Sequence, residues 1–385
     1  MKNKFLSQKY WNKSATPMAD AAALINMKEL INLSLGDPDF ITDSKIIEEA
    51  MNDAKCGHTK YTETSGDPEL IAEIIRYYKD EYDFTAKPDE LMMVVGACHG
   101  MYLALQAIID NGDEVILPEP YFTPYKEQLS LAGAKMVSLQ TYGSDDFSID
   151  ADKLESLITK KTKAIIINSP NNPTGAFYNK ELLKKISYLA VKYDLLILSD
   201  EVYSDFVYDD AFCPIASLEN MKERTITIGS FSKGFAMTGW RIGYVIAPSF
   251  IINCMKDINE GICFTAPSVS QRAALHALKM RHSIQPAMIE EFRQRMFYSY
   301  ERISNIKGLH VQKPSSGIYI FVDIKDTGMT SSEFSKLLVI QKGVLVLPGN
   351  AFGVSGEGYI RIACTQKIDK LRIAYDRIEE FLKTC

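Results

Sequence analysis

Short, mostly apolar runs punctuate the middle of the chain, at residues 91–95, 115–117, 164–167, 195–198, 226–228 and 242–246. They are too short for helices, are rich in β-branched residues and lack the alternation of a half-exposed strand. They therefore predict strands buried on both faces. Turn signals bound them: Gly96 ends the first run, and Asn111-Gly112-Asp113 precedes the second. Amphipathic helical stretches lie between several of them, as at 99–109 and 180–193. Strand alternating with helix predicts an α/β architecture, a mostly parallel sheet covered by helices.

The two ends are patterned differently. Residues 1–45 show little regular periodicity, whereas from about 285 a long charged helix at 288–303 leads into alternating segments at 318–322, 344–347 and 359–362. This predicts a large α/β domain over 46–284 and a smaller α+β domain over 285–385, with the N-terminal arm, 1–45, packed in part on the latter.

Composition narrows the partners. With 385 residues the chain can build two domains with real cores, and 46% hydrophobic against 24% charged residues is too apolar for disorder. Lys and Arg total 43 against 49 Asp and Glu, a net charge of −6 without a basic tract, which argues against nucleic-acid or membrane-surface partners. No run reaches the roughly 18 apolar residues of a membrane span. The polar first 17 residues lack the apolar centre of a secretory signal, so a cytoplasmic location is expected. The seven cysteines are scattered with no C-x-x-C pair, and the five histidines show no ligand spacing, so reduced thiols and no metal are expected.

Four turns that follow apolar runs carry the candidate chemistry. In 230–244, SFSKGFAMTGWRIGY, Lys233 lies between two predicted buried strands. An amine is costly to bury unless it has a task, and a Schiff base to an aldehyde cofactor is such a task. Ser230, Ser232 and Arg241 beside it supply donors for a phosphate. A solvated loop lysine and arginine would be the plainer account of either residue alone. Asp200, in SDEVY (199–203), stands at the carboxyl end of a predicted parallel strand, where α/β ligand sites form, although Asp there also suits a helix N-cap. NSPNNPTG (168–175) reads by itself as a tight turn. VVGACHG (94–100) opens a helix whose free N–H groups, those of Ala97 and Cys98, make an anion site, without P-loop spacing. Cys98 has no indicated partner base, which favours packing over a nucleophilic role.

Together these segments resemble the pyridoxal-phosphate aminotransferases of fold type I, class I/II, the aspartate-aminotransferase superfamily. The resemblance runs from Leu33 to Arg361, through LSLGDPDF (33–40), KYTETSGDPEL (60–70), PEPYFTPY (118–125), LPGNAFG (347–353), GYIRIA (358–363) and the four turns above. The lysine segment and NNPTG are its most specific parts. The resemblance implies pyridoxal 5′-phosphate attached to Lys233, which then moves the proton between the substrate Cα and the cofactor's C4′ carbon. It implies Asp200 at the pyridine nitrogen, Tyr203 and Asn172 donating to the phenolic oxygen, and Phe122 stacked on the ring. Ser230, Ser232, Arg241 and the amides of Ala97 and Cys98 would hold the phosphate, with Tyr61 reaching it from the neighbouring subunit of a homodimer. Arg361 would clamp the substrate α-carboxylate with help from Gly36 and Asn172. The alternative for Arg361 is an exposed basic residue on an edge strand.

The implied activity is ping-pong transfer of an amino group from an α-amino acid to a 2-oxo acid. Ala97-Cys98 stands where many relatives carry Gly-Gly or a polar residue, and Asp43 where a proline often follows. No basic residue near the phosphate turn offers itself to a distal substrate carboxylate, which weighs against aspartate or glutamate as preferred donor. Tyr125 and residues 17–24 are placed at the side-chain pocket. A β-C–S lyase on the same scaffold is the nearest rival, and Gly239, Arg241, Gly243 and Tyr244 weigh against it. A nicotinamide dehydrogenase would need a glycine fingerprint that is missing. A binding relative without chemistry would have no use for Lys233, Asp200 and Arg361 together.

Overall fold

The computed structural model describes residues 5, 7 and 29–383. In chain order the strands are β1 (Ile31–Asn32), β2 (Leu91–Val94), β3 (Glu114–Glu119), β4 (Lys135–Gln140), β5 (Thr162–Asn168), β6 (Leu196–Asp200), β7 (Thr225–Ser230), β8 (Gly243–Ile246), β9 (Tyr319–Asp323), β10 (Val344–Leu345), β11 (Leu347–Pro348) and β12 (Tyr359–Ala363). The α-helices are α1 (Ser44–Lys55), α2 (Pro68–Tyr82), α3 (Ala97–Ile108), α4 (Pro124–Ala132), α5 (Ala151–Leu157), α6 (Lys180–Lys192), α7 (Ser249–Glu260), α8 (Ser268–Lys279), α9 (Arg281–Ser304), α10 (Ser331–Lys342) and α11 (Ile368–Lys383).

The central sheet has seven strands in the order β2-β8-β7-β6-β5-β3-β4, all parallel except β8. Its strands explain the continuous apolar runs. Met92 and Val94 of β2 pack with α3 and α7, while Leu91 and Met93 pack with α2 and α8. Ala164 and Ile166 of β5 face the first of these cores, and Ile165 and Ile167 face a third core with α6. Successive side chains enter opposite cores, so neither face needs polar residues.

A second, three-stranded antiparallel sheet, β11-β12-β9, is backed by α9, α10 and α11. Phe292, Phe334, Phe352 and Phe381 are fully buried, each contributing about 1.5–3 kcal/mol of apolar burial. The strand β1 pairs in parallel with β10, tying the chain before α1 to this C-terminal part. Local signals fix helix starts: Asp67 caps α2 ahead of Pro68, and Thr330 with Glu333 forms a capping box on α10.

Three elements differ from expectation. The strand β4 was not marked by an apolar run because it lies at the sheet edge and is half-exposed. The 344–347 run divides into β10 and β11, which serve different sheets. The helix expected at 288–303 begins at Arg281 with Pro286 inside it, where proline chemistry argues for a stop. Among the described residues no helix is long and apolar enough to cross a membrane.

Candidate functional site

The parallel strands β5, β6 and β7 end together at one edge of the central sheet, beside the start of α3. This is the edge where α/β sheets form ligand sites. A cavity of about 230 Å³ opens there. Ala97, Cys98, Ser230, Ser232 and Arg241 line one end, Phe122, Asn172, Asp200, Tyr203 and Lys233 the middle, and Gly36 and Arg361 the other end. Of the residues singled out as a site from sequence, only Tyr61 lies elsewhere: its ring is 82% exposed and set edge-on to Phe264. Residues 17–24 lie outside the described residues.

The first end is built for an anion. Gly96, at φ 77°, turns the chain from β2 into α3, so Ala97 and Cys98 become the first helical residues and their N–H groups have no partner within the helix. A Cβ at Gly96 would come within 2.6 Å of Arg241 Nη2, so a side chain there would displace the guanidinium. Arg241 itself takes the left-handed conformation, φ 52°, and its Nη1 donates to the Thr238 carbonyl at 2.8 Å. An arginine in that conformation is strained by about 1–3 kcal/mol, the kind of strain that clusters at ligand clamps. Ser230 Oγ accepts from the Ser232 N–H at 3.1 Å.

In the middle, Lys233 Nζ donates to the Gly36 carbonyl at 2.5 Å. Asp200 ends β6 and is buried; it accepts from the Tyr125 hydroxyl at 2.5 Å and from the Val202 N–H at 3.2 Å. Burial nevertheless pushes its carboxyl up to about 6. Tyr125, expected at a side-chain pocket, thus has its hydroxyl committed to Asp200, with its ring edge-on to Phe122. Burial and the Asp200 charge raise the Cys98 thiol, as suits packing rather than attack.

Two further residues escaped the sequence argument. Asn168 donates to the Asp200 carbonyl at 3.2 Å and accepts from the Asn172 N–H at 2.9 Å, fixing the NNPT turn relative to β6. Its signal was present, as a polar residue closing an apolar run. Gln128 donates to the Cys98 carbonyl at 2.7 Å and steadies the start of α3.

Arg361 is not on an edge. It sits in β12, the central strand of its sheet, and is 2% exposed. Its Nη1 donates to Asn172 Oδ1 at 2.8 Å and its Nη2 to the Ser34 carbonyl, while its Nε has no hydrogen-bond partner among the described residues. The rings of Tyr319 and Phe352 lie 4.5 and 4.9 Å from the guanidinium carbon. No carboxylate pairs with Arg361 among the described residues, and burial lowers its pKa from the ordinary arginine value. A buried ion without a counter-charge costs several kcal/mol, so this end is complementary to an anion.

A family model described as aminotransferase class I and II matches residues 28–378. The chain belongs to that family. The aminotransferase is 42% identical over 361 residues to the aspartate aminotransferase of Pyrococcus abyssi, covering 93% of this chain and 92% of that one. It is 40% identical to aromatic-amino-acid aminotransferase 2 of Thermococcus litoralis, with 92% of each chain covered. The crystal structure of the aromatic aminotransferase from Pyrococcus horikoshii matches it with a TM-score of 0.90 at 40% identity, over 95% of this chain and 99% of that one. The aminotransferase therefore has the fold-type-I architecture expected of it, and its family and relatives support a transaminase.

Proposed function

We propose that this aminotransferase holds pyridoxal 5′-phosphate in the 230 Å³ cavity and moves an amino group from an α-amino acid to a 2-oxo acid in two alternating half-reactions. The residues fit that group. The start of α3, with Arg241 lying on Gly96, offers N–H donors and a positive charge to a phosphate. Asp200, held neutral up to about pH 6 by burial, gains from a cationic ring nitrogen, which would restore its charge. When bound, the cofactor supplies an electron-withdrawing ring that stabilises negative charge at the substrate Cα.

The protein's own groups do the rest. Ser230, Ser232, Arg241, Ala97 and Cys98 hold the phosphate, and Phe122 covers the ring. Asn172 spends its Oδ1 on Arg361, which leaves its Nδ2 to donate beside Tyr203 toward the phenolic oxygen. Lys233 would be the residue to which the cofactor is attached, and its amine would carry the proton at the substrate Cα. Arg361 has five N–H bonds and uses two, so three, Nε among them, remain for the substrate carboxylate, with Gly36 at its side. The exposed ring of Tyr61 suits a reach to the phosphate of a second copy, and we propose a cytoplasmic homodimer. The division into domains at 46–284 and 285–385 belongs to the same proposal.

The observation that carries this function is Arg361, buried and without a counter-anion, opening on the same cavity as Lys233. The test supplies cofactor, a pool of amino acids and one 2-oxo acid, and measures both products. New amino acid and new 2-oxo acid must rise in equal amounts; release of ammonia without a new amino acid would instead assign the site to elimination.

A further inference from the structure

We propose that Tyr319 is a positioning residue of this site, its hydroxyl donating to Tyr203 so that the Tyr203 proton is left for the cofactor's phenolic oxygen, and its ring bearing the Arg361 guanidinium. The inference rests on the assignment of the cavity to pyridoxal phosphate.

Tyr319 opens β9 and is paired with Ala363 of β12, two residues beyond Arg361. It is 3% exposed, lines the cavity, and has its hydroxyl 2.9 Å from that of Tyr203. The two rings meet edge-to-face at 5.6 Å. A phenol has one proton to give, and one hydrogen bond joins the pair, so one of the two protons is left over. The Tyr319 hydroxyl is crowded by Gly36, where even a Cβ would collide with it. A leftover proton on Tyr319 is crowded by that CH₂, which accepts nothing. A leftover proton on Tyr203 faces the cavity. The cost of an unmade bond in a buried place therefore sets the direction, from Tyr319 to Tyr203.

Burial, with Tyr319 approaching from β9, holds the Tyr203 phenol neutral; Arg361 from β12 opposes this and Asp200 from its own turn adds to it. Tyr125 of α4 and Lys233 share the cavity. A phenol that accepts a hydrogen bond becomes a stronger donor through its own proton. Tyr319 thus strengthens the donation of Tyr203 by acting through the Tyr203 hydroxyl. Its ring does a second job, since a guanidinium 4.5 Å away on a desolvated aromatic face is held by cation–π attraction.

The two jobs separate by substitution. Wild-type protein and Tyr319→Phe are loaded with pyridoxal phosphate, and the yellow band of the lysine-bound cofactor is followed against pH with no amino acid present. Donation to the phenolic oxygen stabilises its anion, which lessens the hold on the neighbouring proton and keeps the band's midpoint low. The midpoint should therefore rise in Tyr319→Phe by a few tenths of a pH unit. A midpoint that stays put or falls overturns the hydroxyl's role. The second measurement titrates each protein with 2-methylalanine, which keeps carboxylate and amine but has no Cα hydrogen. Tyr319→Phe should bind it within about twofold of wild type, and Tyr319→Leu about tenfold or more weakly. Equal binding by all three, or equal loss in both variants, overturns the ring's role. Tyr319→Phe keeps the ring's shape, so the first measurement decides even if the leucine variant folds poorly. A wild-type protein that shows no band at all would overturn the cofactor assignment itself, an outcome distinct from a band indifferent to Tyr319.

Discussion

Replacing Tyr125 by phenylalanine takes one donor from Asp200 and leaves the ring against Phe122. A hydrogen bond to a charged acceptor is worth about 1.5–3 kcal/mol, and 1.36 kcal/mol corresponds to one pH unit, so the Asp200 carboxyl should rise by about 1–2 units. From about 6 in the cofactor-free protein it would move to about 7–8. The sign of the consequence follows from protons. A neutral Asp200 must lose its proton to pair with a cationic ring nitrogen, so cofactor affinity falls as pH drops below the carboxyl's value. The apparent dissociation constant scales as one plus ten to the power of pKa minus pH. At pH 7 the variant should bind pyridoxal phosphate about two- to tenfold more weakly than wild type, and at pH 6 about five- to fiftyfold more weakly. Binding isotherms read from the visible band, at pH steps from 5.5 to 9, give both curves. If the falling limb of Tyr125→Phe coincides with that of wild type in a protein that melts normally, the hydrogen bond does not govern Asp200 and the argument is refuted.

Arg361→Ala should raise KM for the amino donor by about a hundredfold or more, the loss of a bidentate charge-assisted contact, while cofactor affinity changes little; equal effects on both would remove its assignment as the carboxylate clamp. Tyr61→Phe should weaken cofactor retention on dilution, and a fully active monomer would contradict the cross-subunit role. Glu201 is buried beside Ser199 and Tyr78 with its carboxyl pushed from 4.5 up to about 8. A carboxyl raised in the fold stabilises it at low pH, and that advantage is lost between 4.5 and about 8 as the unfolded chain ionises first. The stability of wild type relative to Glu201→Gln should therefore fall by about 1.4 kcal/mol per pH unit across that window in denaturant melts, and a flat difference would show that Glu201 is not held neutral.

Much of the architecture was legible because buried parallel strands need apolar residues on both faces, and the runs ending at Asn168, Asp200 and Ser230 stood out for that reason. The polar residues that close those runs reach the cavity simply by being where the strands stop. Edge strand β4 and the split of 344–347 were not legible, since partners distant in sequence decide them. The same limit applies to Tyr125 and Tyr319. A tyrosine in an apolar context reads as core, and only the fold shows that their hydroxyls meet Asp200 and Tyr203. Arg361 could be taken for an edge residue until pairing with β9 and β11 on either side placed it at the centre of its sheet.

The central claim, that Lys233 and Arg361 serve one transamination site, is tested most directly by a visible spectrum of the cofactor-loaded protein before and after a pool of amino acids is added without any 2-oxo acid. The account predicts a yellow band that amino acids bleach, that the addition of a 2-oxo acid restores, and that Lys233→Ala lacks from the start. A band that persists in Lys233→Ala, or no band in wild type after saturation with pyridoxal phosphate, would contradict it.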